Sequence, residues 1–194
     1  CLLGWLAAES RRDFGERRPT DRPFFQPGSM DPLLARALAN VAGARPGATV
    51  LDPMCGTGGV LVEAALVGAR AFGVDAQRKM AHGAAENLTA YAPDAEWATT
   101  RGDATHLPFG DDAVDGVVFD APYGRQSKIA NLDLDDLVAG ALAEARRVAP
   151  RAVVVGDRSW ADAAREAGWT VTDAFQRRVH RSLTRYVVVL ERDD

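Results

Sequence analysis

The sequence contains two cysteines, Cys1 and Cys55, and no apolar run that approaches the ~18–20 residues of a membrane-spanning helix. Two cysteines exclude both the disulfide framework of a small secreted fold and a four-cysteine zinc site. Residues 1–6 are mostly apolar, but they lack the basic head and the cleavage site of a signal peptide. We therefore expect a cytoplasmic protein that has no membrane partner.

Lysine is also scarce, because Lys79 and Lys128 are two of the 23 basic residues and the rest are arginine. With 27 acidic residues, the formal net charge is −4, which argues against nucleic-acid binding by the chain as a whole. The arginines nevertheless cluster within residues 11–22 and 177–185. Each cluster fits either a solvated face or an RNA contact. The histidines show no metal-ligand spacing, so no metal site is predicted.

A chain of 194 residues is long enough for one domain with a short appendage. Residues 1–22 are interpreted as a lead-in, because residues 7–22 are mostly polar and include Pro19, whereas residues 23–194 carry the apolar periodicity of a folded domain. The sequence does not begin with methionine, and we expect it to be part of a longer protein.

Strands and helices alternate along residues 23–194. A helix is predicted to begin at Asp31 and Pro32, a capping residue followed by a residue suited to the first helical position. We predict strands over residues 48–51, 71–74, 96–100, 114–119 and 152–155, further helices over 60–66, 77–90, 134–148 and 158–167, and a hairpin from 170–180 and 183–191. This order implies a parallel sheet with helices on both faces, which binds ligands outside the carboxyl ends of its strands.

The first of these carboxyl ends carries a glycine-rich loop, DPMCGTGG over residues 52–59. Glycine lets the backbone approach a ligand closely, and the amides of the following helix favour an acceptor or an anion. The spacing matches neither the GxGxxG dinucleotide fingerprint nor a P-loop. The alternative is a tight turn without a ligand.

Two further aspartates follow the next two predicted strands. Asp75 lies 23 positions after Asp52, where a carboxylate can accept both hydroxyls of a ribose, or can instead cap the next helix. Asp103 is placed to meet the amino group of an adenine, or it is an ordinary turn aspartate.

The fourth strand ends in DAPYG, residues 120–124. This loop combines an acceptor side chain, a rigid proline and an aromatic ring, which together suit a planar base with an exocyclic amine. Asp120 and the Ala121 carbonyl can accept the two amine protons, Pro122 fixes the backbone and Tyr123 stacks on the base. The alternative is a strand-ending turn with a buried tyrosine. Residues 125–128 then form either a substrate-gripping segment or a polar loop.

These loops, with FFQPGSM over residues 24–30, resemble the motifs of class I S-adenosylmethionine (SAM) methyltransferases that act on an exocyclic amine. Residues 23–191 resemble the archaeal tRNA (guanine-10-N2) methyltransferase family in particular, and HRSLTR over residues 180–185 contributes to the match. The resemblance implies a Rossmann-like α/β fold, with a mostly parallel seven-stranded sheet, a C-terminal antiparallel hairpin and helices on both faces. Ala121 stands where the family commonly has proline.

The resemblance also assigns roles to residues by position. The cofactor-binding residues it implies are Phe25, Pro27, Gly28 and Ser29 beside the cofactor, Asp52, Cys55, Gly56 and Gly58 on the methionine side, Asp75 at the ribose, and Asp103 and Ala104 at the adenine, with Asp120 bordering both ligands. The catalytic residues it implies at the target base are Asp120, Pro122 and Tyr123.

The activity implied is methylation of guanosine N2 at position 10 of tRNA, with a mono- or dimethylated product. Members of the family carry an N-terminal RNA-binding region of the THUMP type. We therefore expect residues 1–22 to lead in from such a region, and expect this chain to be a monomer that binds tRNA weakly.

Two alternatives remain open at this stage. The same loops suit an adenine-N6 or guanine-N2 methyltransferase that acts on rRNA or DNA, because any exocyclic amine fits residues 120–123. A noncatalytic module that binds SAM or RNA is the alternative of another class.

Overall fold

The computed structural model describes residues 1, 3–7, 9, 12–123, 134–181 and 183–193. Its helices are α1 (Pro32–Val41), α2 (Gly59–Leu66), α3 (Arg78–Tyr91), α4 (Leu134–Val148) and α5 (Ala161–Glu166). Its strands are β1 (Thr49–Asp52), β2 (Arg70–Asp75), β3 (Trp97–Arg101), β4 (Gly116–Asp120), β5 (Arg151–Gly156), β6 (Thr170–His180) and β7 (Leu183–Glu191).

All seven strands belong to one sheet, in the order β3-β2-β1-β4-β5-β7-β6. The first five strands pair in parallel, whereas β7 runs antiparallel to both β5 and β6. This arrangement confirms the predicted fold class, a mostly parallel seven-stranded sheet with a C-terminal hairpin. The strand order reverses between β1 and β4, and a sheet of this kind binds its ligands at such a point.

The central strands are buried on both faces because helices cover each side. One apolar cluster joins the sheet to α4 and α5 through residues such as Phe119 and Leu142. A second cluster joins the opposite face to α1 through Leu38 and Val153. Gly116 allows the Ala42 carbonyl to approach β4 more closely than any side chain would permit. None of the helices in the described part of the chain is long and apolar enough to cross a bilayer.

The helix ends follow the predicted local signals in one case and depart from them in another. Asp31 caps α1, because its carboxylate accepts hydrogen bonds from the amides of Leu33 and Leu34 at 3.0 and 3.3 Å. Helix α5, in contrast, begins at Ala161 rather than at residue 158. The Ser159 hydroxyl accepts the Ala161 amide at 3.3 Å, so Ser159 closes a turn ahead of the helix.

Residues 13–22 pack against the domain, and a buried ion cluster holds them there. Two 3₁₀ turns, Asp13–Arg17 and Pro19–Asp21, bring Arg17 to α2. The Arg17 Nε donates to Oε1 of the fully buried Glu63 at 2.8 Å, and the Arg36 Nη2 lies 2.8 Å from Glu63 Oε2. Neither a solvated face nor an RNA contact describes Arg17, so both sequence-based interpretations were wrong for this residue. The domain boundary at residue 22 stays a prediction.

Replacing Glu63 by glutamine is expected to lower the free energy of unfolding by about 3 kcal/mol, because two guanidinium groups lose their buried counter-charge. Chemical denaturation monitored by circular dichroism measures the change. Glu96→Gln, at an exposed position, is the matched control and should leave the midpoint unchanged. Equal stability of the two variants would contradict this role of the ion cluster.

Candidate active site

Aspartates end three neighbouring strands of the parallel part of the sheet. Asp75, Asp52 and Asp120 are the last residues of β2, β1 and β4, which lie side by side in that order. Asp103 follows β3, the next strand outward. Because adjacent strands lie ~4.8 Å apart, these four residues follow one another along the carboxyl edge in the order 103, 75, 52, 120. The edge therefore carries acceptor groups at successive positions of one elongated site.

A cavity of about 180 Å³ opens at this edge, where the strand order reverses between β1 and β4. Asp52 and Asp120 contribute to its wall from the two strands on either side of that point. The remaining wall comes from the glycine loop, the start of α2, Met80 and residues 26–30. The predicted residues that line the cavity are Pro27, Gly28, Ser29, Asp52, Cys55, Gly56 and Asp120.

The glycine loop turns sharply through two residues with positive φ. Gly56 has φ 51°, and Gly58 has φ 73° at the N-cap of α2. A side chain at Gly58 would also collide with Ala84, since a Cβ there would lie 2.9 Å from the Ala84 Cβ. The Gly56 amide donates to Asp75 Oδ2 at 2.9 Å, which joins the loop to the end of β2. Gly58 itself thus holds the loop against α3 rather than lining the cavity.

Residues 26–30 form one wall of the cavity, and side chains from α3 and the glycine loop fix the segment 24–30. The fully buried Asn87 of α3 accepts the Phe24 amide at 3.0 Å and donates to the carbonyls of Phe24 and Thr57. The hydroxyls of Ser29 and Thr57 lie 3.1 Å apart. Asn87 was not among the predicted site residues, although a polar residue on the apolar face of an amphipathic helix is a usable signal for such a role.

Burial determines the electrostatics of the three strand-end carboxylates. Burial raises the pKa of Asp52 well above its ordinary value, against the hydrogen bond from the Met54 amide, and the neighbouring Asp75 and Asp120 raise it further. The pKa of Asp75 and that of Asp120 are also raised, in both cases chiefly by burial. Three carboxylates in one partly enclosed edge favour a ligand that carries positive charge.

Cys55 lies on the inner side of the glycine loop and is only 5% exposed. It packs beside Leu61 and Gly73. Burial, together with the nearby Asp52 and Asp75 charges, raises the pKa of its thiol well above the ordinary value. A thiol held in the protonated form is a poor nucleophile, so the environment of Cys55 does not favour nucleophilic chemistry.

The loop after β4 is tied to the hairpin by Arg185. The Tyr123 hydroxyl donates to Asp120 Oδ1, and the Arg185 Nε donates to the same hydroxyl at 2.9 Å. The Arg185 Nη2 also lies 3.2 Å from Asp120 Oδ2. Arg185 is only 3% exposed, so both sequence-based interpretations of its cluster, a solvated face and an RNA contact, were wrong for this residue.

The other predicted site residues lie around the cavity rather than in its wall. Asp103 forms a turn, because its Oδ1 accepts the amide of Thr105 at 2.8 Å, and this hydrogen bond lowers its pKa. Ala104 is buried in the apolar core, whereas Phe25 is 41% exposed. Pro122 and Tyr123 are half-buried beside Asp120. Residues 125–128 lie outside the described part of the chain.

The sequence profile of the RMKL-like methyltransferase domain family matches residues 19–187. This chain belongs to that family. Crystal structures agree with the assignment, since TrmN from Thermus thermophilus superimposes with a TM-score of 0.69 at 28% identity, covering 86% of this chain and 50% of TrmN. The fold described above is therefore that of a methyltransferase domain.

Curated relatives of this methyltransferase domain include tRNA (guanine(10)-N2)-dimethyltransferases from archaea. The protein from Methanothermobacter thermautotrophicus is 37% identical over 96% of this chain, and the protein from Pyrococcus abyssi is 34% identical over 96% of this chain. The chain spans 56% and 58% of the length of these two relatives, respectively. The similarity to this family that the sequence motifs indicated is thus confirmed.

Asp52→Asn is expected to raise the melting temperature of the methyltransferase domain at pH 8. The raised pKa means that wild-type Asp52 costs stability once it ionises, so its stabilising contribution is lost as pH rises through that pKa. Asparagine still accepts the Met54 amide but carries no charge. The difference from wild type should therefore shrink as pH falls toward the ordinary aspartate range.

Calorimetry across a pH series measures this difference. The matched control is Asp94→Asn at an exposed position, which should follow wild type at every pH. A gap between Asp52→Asn and wild type that stayed constant with pH would contradict the electrostatic explanation.

Proposed function

We propose that this methyltransferase domain transfers a methyl group from SAM to the exocyclic N2 of a guanosine in tRNA. The observation that carries the proposal is the order of acceptors along the carboxyl edge, which ends at Asp120 beside the cavity between β1 and β4. A SAM molecule that lies along this edge would have its methyl group next to the loop 120–123.

The residues at the edge fit SAM chemically. SAM carries a positive sulfonium and an amino group. Burial raises the pKa of Asp52 and that of Asp75, and the charges of Asp75 and Asp120 raise the pKa of Asp52 further, so a cation beside these carboxylates is favourable. Asp75 uses one oxygen for Gly56 and the other for Gln77, so each oxygen keeps a lone pair for a ribose hydroxyl. Gly28 and Gly56 have open space where a side chain would project.

The start of α2 suits the carboxylate of the methionine part of SAM. The helix begins at Gly59, and its N-cap is Gly58, which has no side chain to satisfy the first amides. Gly59 and Val60 both border the cavity. Backbone amides at this point can therefore hold a carboxylate. Asp103 lies at the opposite end of the row, where the adenine would be held.

The loop after β4 suits an amino group attached to a planar ring. Asp120 offers carboxylate oxygens, the Ala121 carbonyl offers a second acceptor, and Tyr123 offers a half-buried ring for stacking. SAM supplies an electrophilic methyl group at this place. The chain itself orients the amine and excludes water. It also accepts the proton that the nitrogen loses, and the Asp120 carboxylate is the group placed to accept it.

Guanine in tRNA is the proposed substrate because the relatives at 37% and 34% identity are tRNA (guanine(10)-N2)-dimethyltransferases. The chain spans just over half the length of each, so tRNA binding by the whole protein, the position methylated and the number of methyl groups are parts of the proposal. An adenine amine or an amine in another nucleic acid is the alternative substrate that the same loop permits.

Incubation with methyl-labelled SAM and unmodified tRNA, followed by nucleoside mass spectrometry, tests the substrate. The complete product of the gene is assayed in parallel with this chain. N2-methylguanosine or N2,N2-dimethylguanosine is the expected product, and a tRNA with adenosine at position 10 is the control. If labelled methyladenosine formed instead, the target base would be adenine rather than guanine. Absence of labelled product with every RNA and DNA would favour a noncatalytic SAM-binding module.

Asp120→Asn is expected to reduce methyl transfer by at least about 100-fold while SAM affinity changes little, because the amide cannot take the proton of the amine. Single-turnover assays measure transfer, and equilibrium dialysis measures SAM binding. The matched control is Asp94→Asn, on the exposed surface. Wild-type turnover in the Asp120 variant would remove the role assigned to this carboxylate.

A further inference from the structure

Arg185 is an arginine almost fully buried inside a cluster of exposed ones. Its neighbours across the hairpin, Arg177 and Arg178, are exposed on β6, whereas Arg185 on β7 is 3% exposed. A buried guanidinium requires partners for its donors.

The contacts of Arg185 converge on the loop after β4. Its Nε donates to the Tyr123 hydroxyl at 2.9 Å, and its Nη2 lies 3.2 Å from Asp120 Oδ2. The same Nη2 donates to the Gly28 carbonyl at 3.0 Å. Arg185 thus joins three segments that are far apart in sequence: the wall at residues 26–30, the loop 120–123 and the start of β7.

Arg185, Tyr123 and Asp120 close a ring of hydrogen bonds. The Tyr123 hydroxyl donates to Asp120 Oδ1 while it accepts from Arg185, which itself reaches Asp120 Oδ2. Rotation of the Asp120 carboxylate would break two of these bonds at once. The ring therefore fixes the orientation of the carboxylate that borders the cavity.

The charges around Asp120 make the position of Arg185 significant. The Asp157 carboxylate after β5 opposes the ionisation of Asp120, and Asp120 in turn raises the pKa of Asp52 at the end of β1. The Tyr123 hydroxyl and the Arg185 guanidinium act in the opposite direction. Burial nevertheless leaves the pKa of Asp120 above its ordinary value, so loss of the guanidinium would raise it further.

We propose that Arg185 is a positioning residue for methyl transfer, which holds the Asp120 carboxylate ionised and turned toward the target amine and fixes the Tyr123 ring beside it. This inference rests on the proposed function and deepens it. Asp120 Oδ1 is held by a neutral hydroxyl, whereas Oδ2 is held by a cation. The incoming amine consequently takes its place at Oδ1, and the bond to Arg185 persists during the reaction.

Two substitutions separate the charge of Arg185 from its hydrogen bonds. Arg185→Lys keeps the charge but cannot reach all three partners with one ammonium, and Arg185→Gln keeps hydrogen-bonding capacity without charge. We expect Arg185→Gln to lower kcat on the order of 100-fold, with KM for tRNA and SAM affinity within about threefold of wild type. Arg185→Lys should recover part of that loss.

The dependence of kcat on pH distinguishes the two possibilities, because a purely structural role of Arg185 would not shift it. In Arg185→Gln the acidic limb should shift to higher pH, because Asp120 has lost the cation that favours its ionised form. In Arg185→Lys the limb should stay close to that of wild type. The matched control is Arg70→Gln, an exposed arginine at the amino end of β2, which should match wild type throughout.

The assay separates failure of this inference from failure of the proposed function. Methyl transfer by wild type tests the proposed function, and the ratio of variant to wild type tests Arg185, whichever amine is methylated. Unshifted acidic limbs in both variants would overturn the inference while leaving the enzyme assignment intact. Failure of both variants to fold, judged by circular dichroism, would overturn it in favour of a structural role. An inactive wild type would remove the proposed function and this inference together.

Discussion

The site depends on one constraint, which is that parallel strands end at the same edge of the sheet. Three strands of this sheet terminate in aspartate, so their carboxylates are placed side by side without any loop needing a special path. Polar groups at adjacent strand ends lie about one strand spacing apart, ~4.8 Å. The backbone hydrogen bonds of β1, β2 and β4 thus set the separation of the groups that a ligand would contact, and packing of the helices on both faces makes that separation rigid.

The same constraint brings carboxylates of like charge close together at a partly buried edge, and the pKa values of these carboxylates are raised. Burial and mutual repulsion raise the pKa of Asp52, and burial raises that of Asp75 and Asp120. A cationic ligand bound beside them would relieve this repulsion, so its affinity and the stability of the domain would be coupled through the same carboxylates. The domain stabilises the row in two ways: backbone amides at Gly56 and Gln77 hydrogen-bond to Asp75, and Arg185 opposes the charge of Asp120.

The sequence alone was sufficient to predict the order of strands and helices, because apolar periodicity and turn residues act locally. The bounds of α4 and of both hairpin strands agree with the prediction. The buried charges were not predictable in this way. Arg17, Glu63 and Arg185 have the residue types of a solvated surface, and only the three-dimensional arrangement brings them to their distant partners. Glu63 lies 46 positions from Arg17 in sequence, and Gly28 lies 157 positions from Arg185. Asn87 differs, since its place on an apolar helix face was visible in the pattern.

The direction of β7 explains why a residue of the hairpin can act at the carboxyl edge. Strand β7 is antiparallel to β5, and Gly156, the last residue of β5, pairs with Tyr186 near the start of β7. Residues just before Tyr186 therefore extend past the carboxyl ends of the parallel strands, where Asp120 lies. A parallel strand in that place would bring its first residues to the opposite edge. The reversal in an otherwise parallel sheet is thus the feature that puts a cation, rather than another strand-ending acid, beside Asp120.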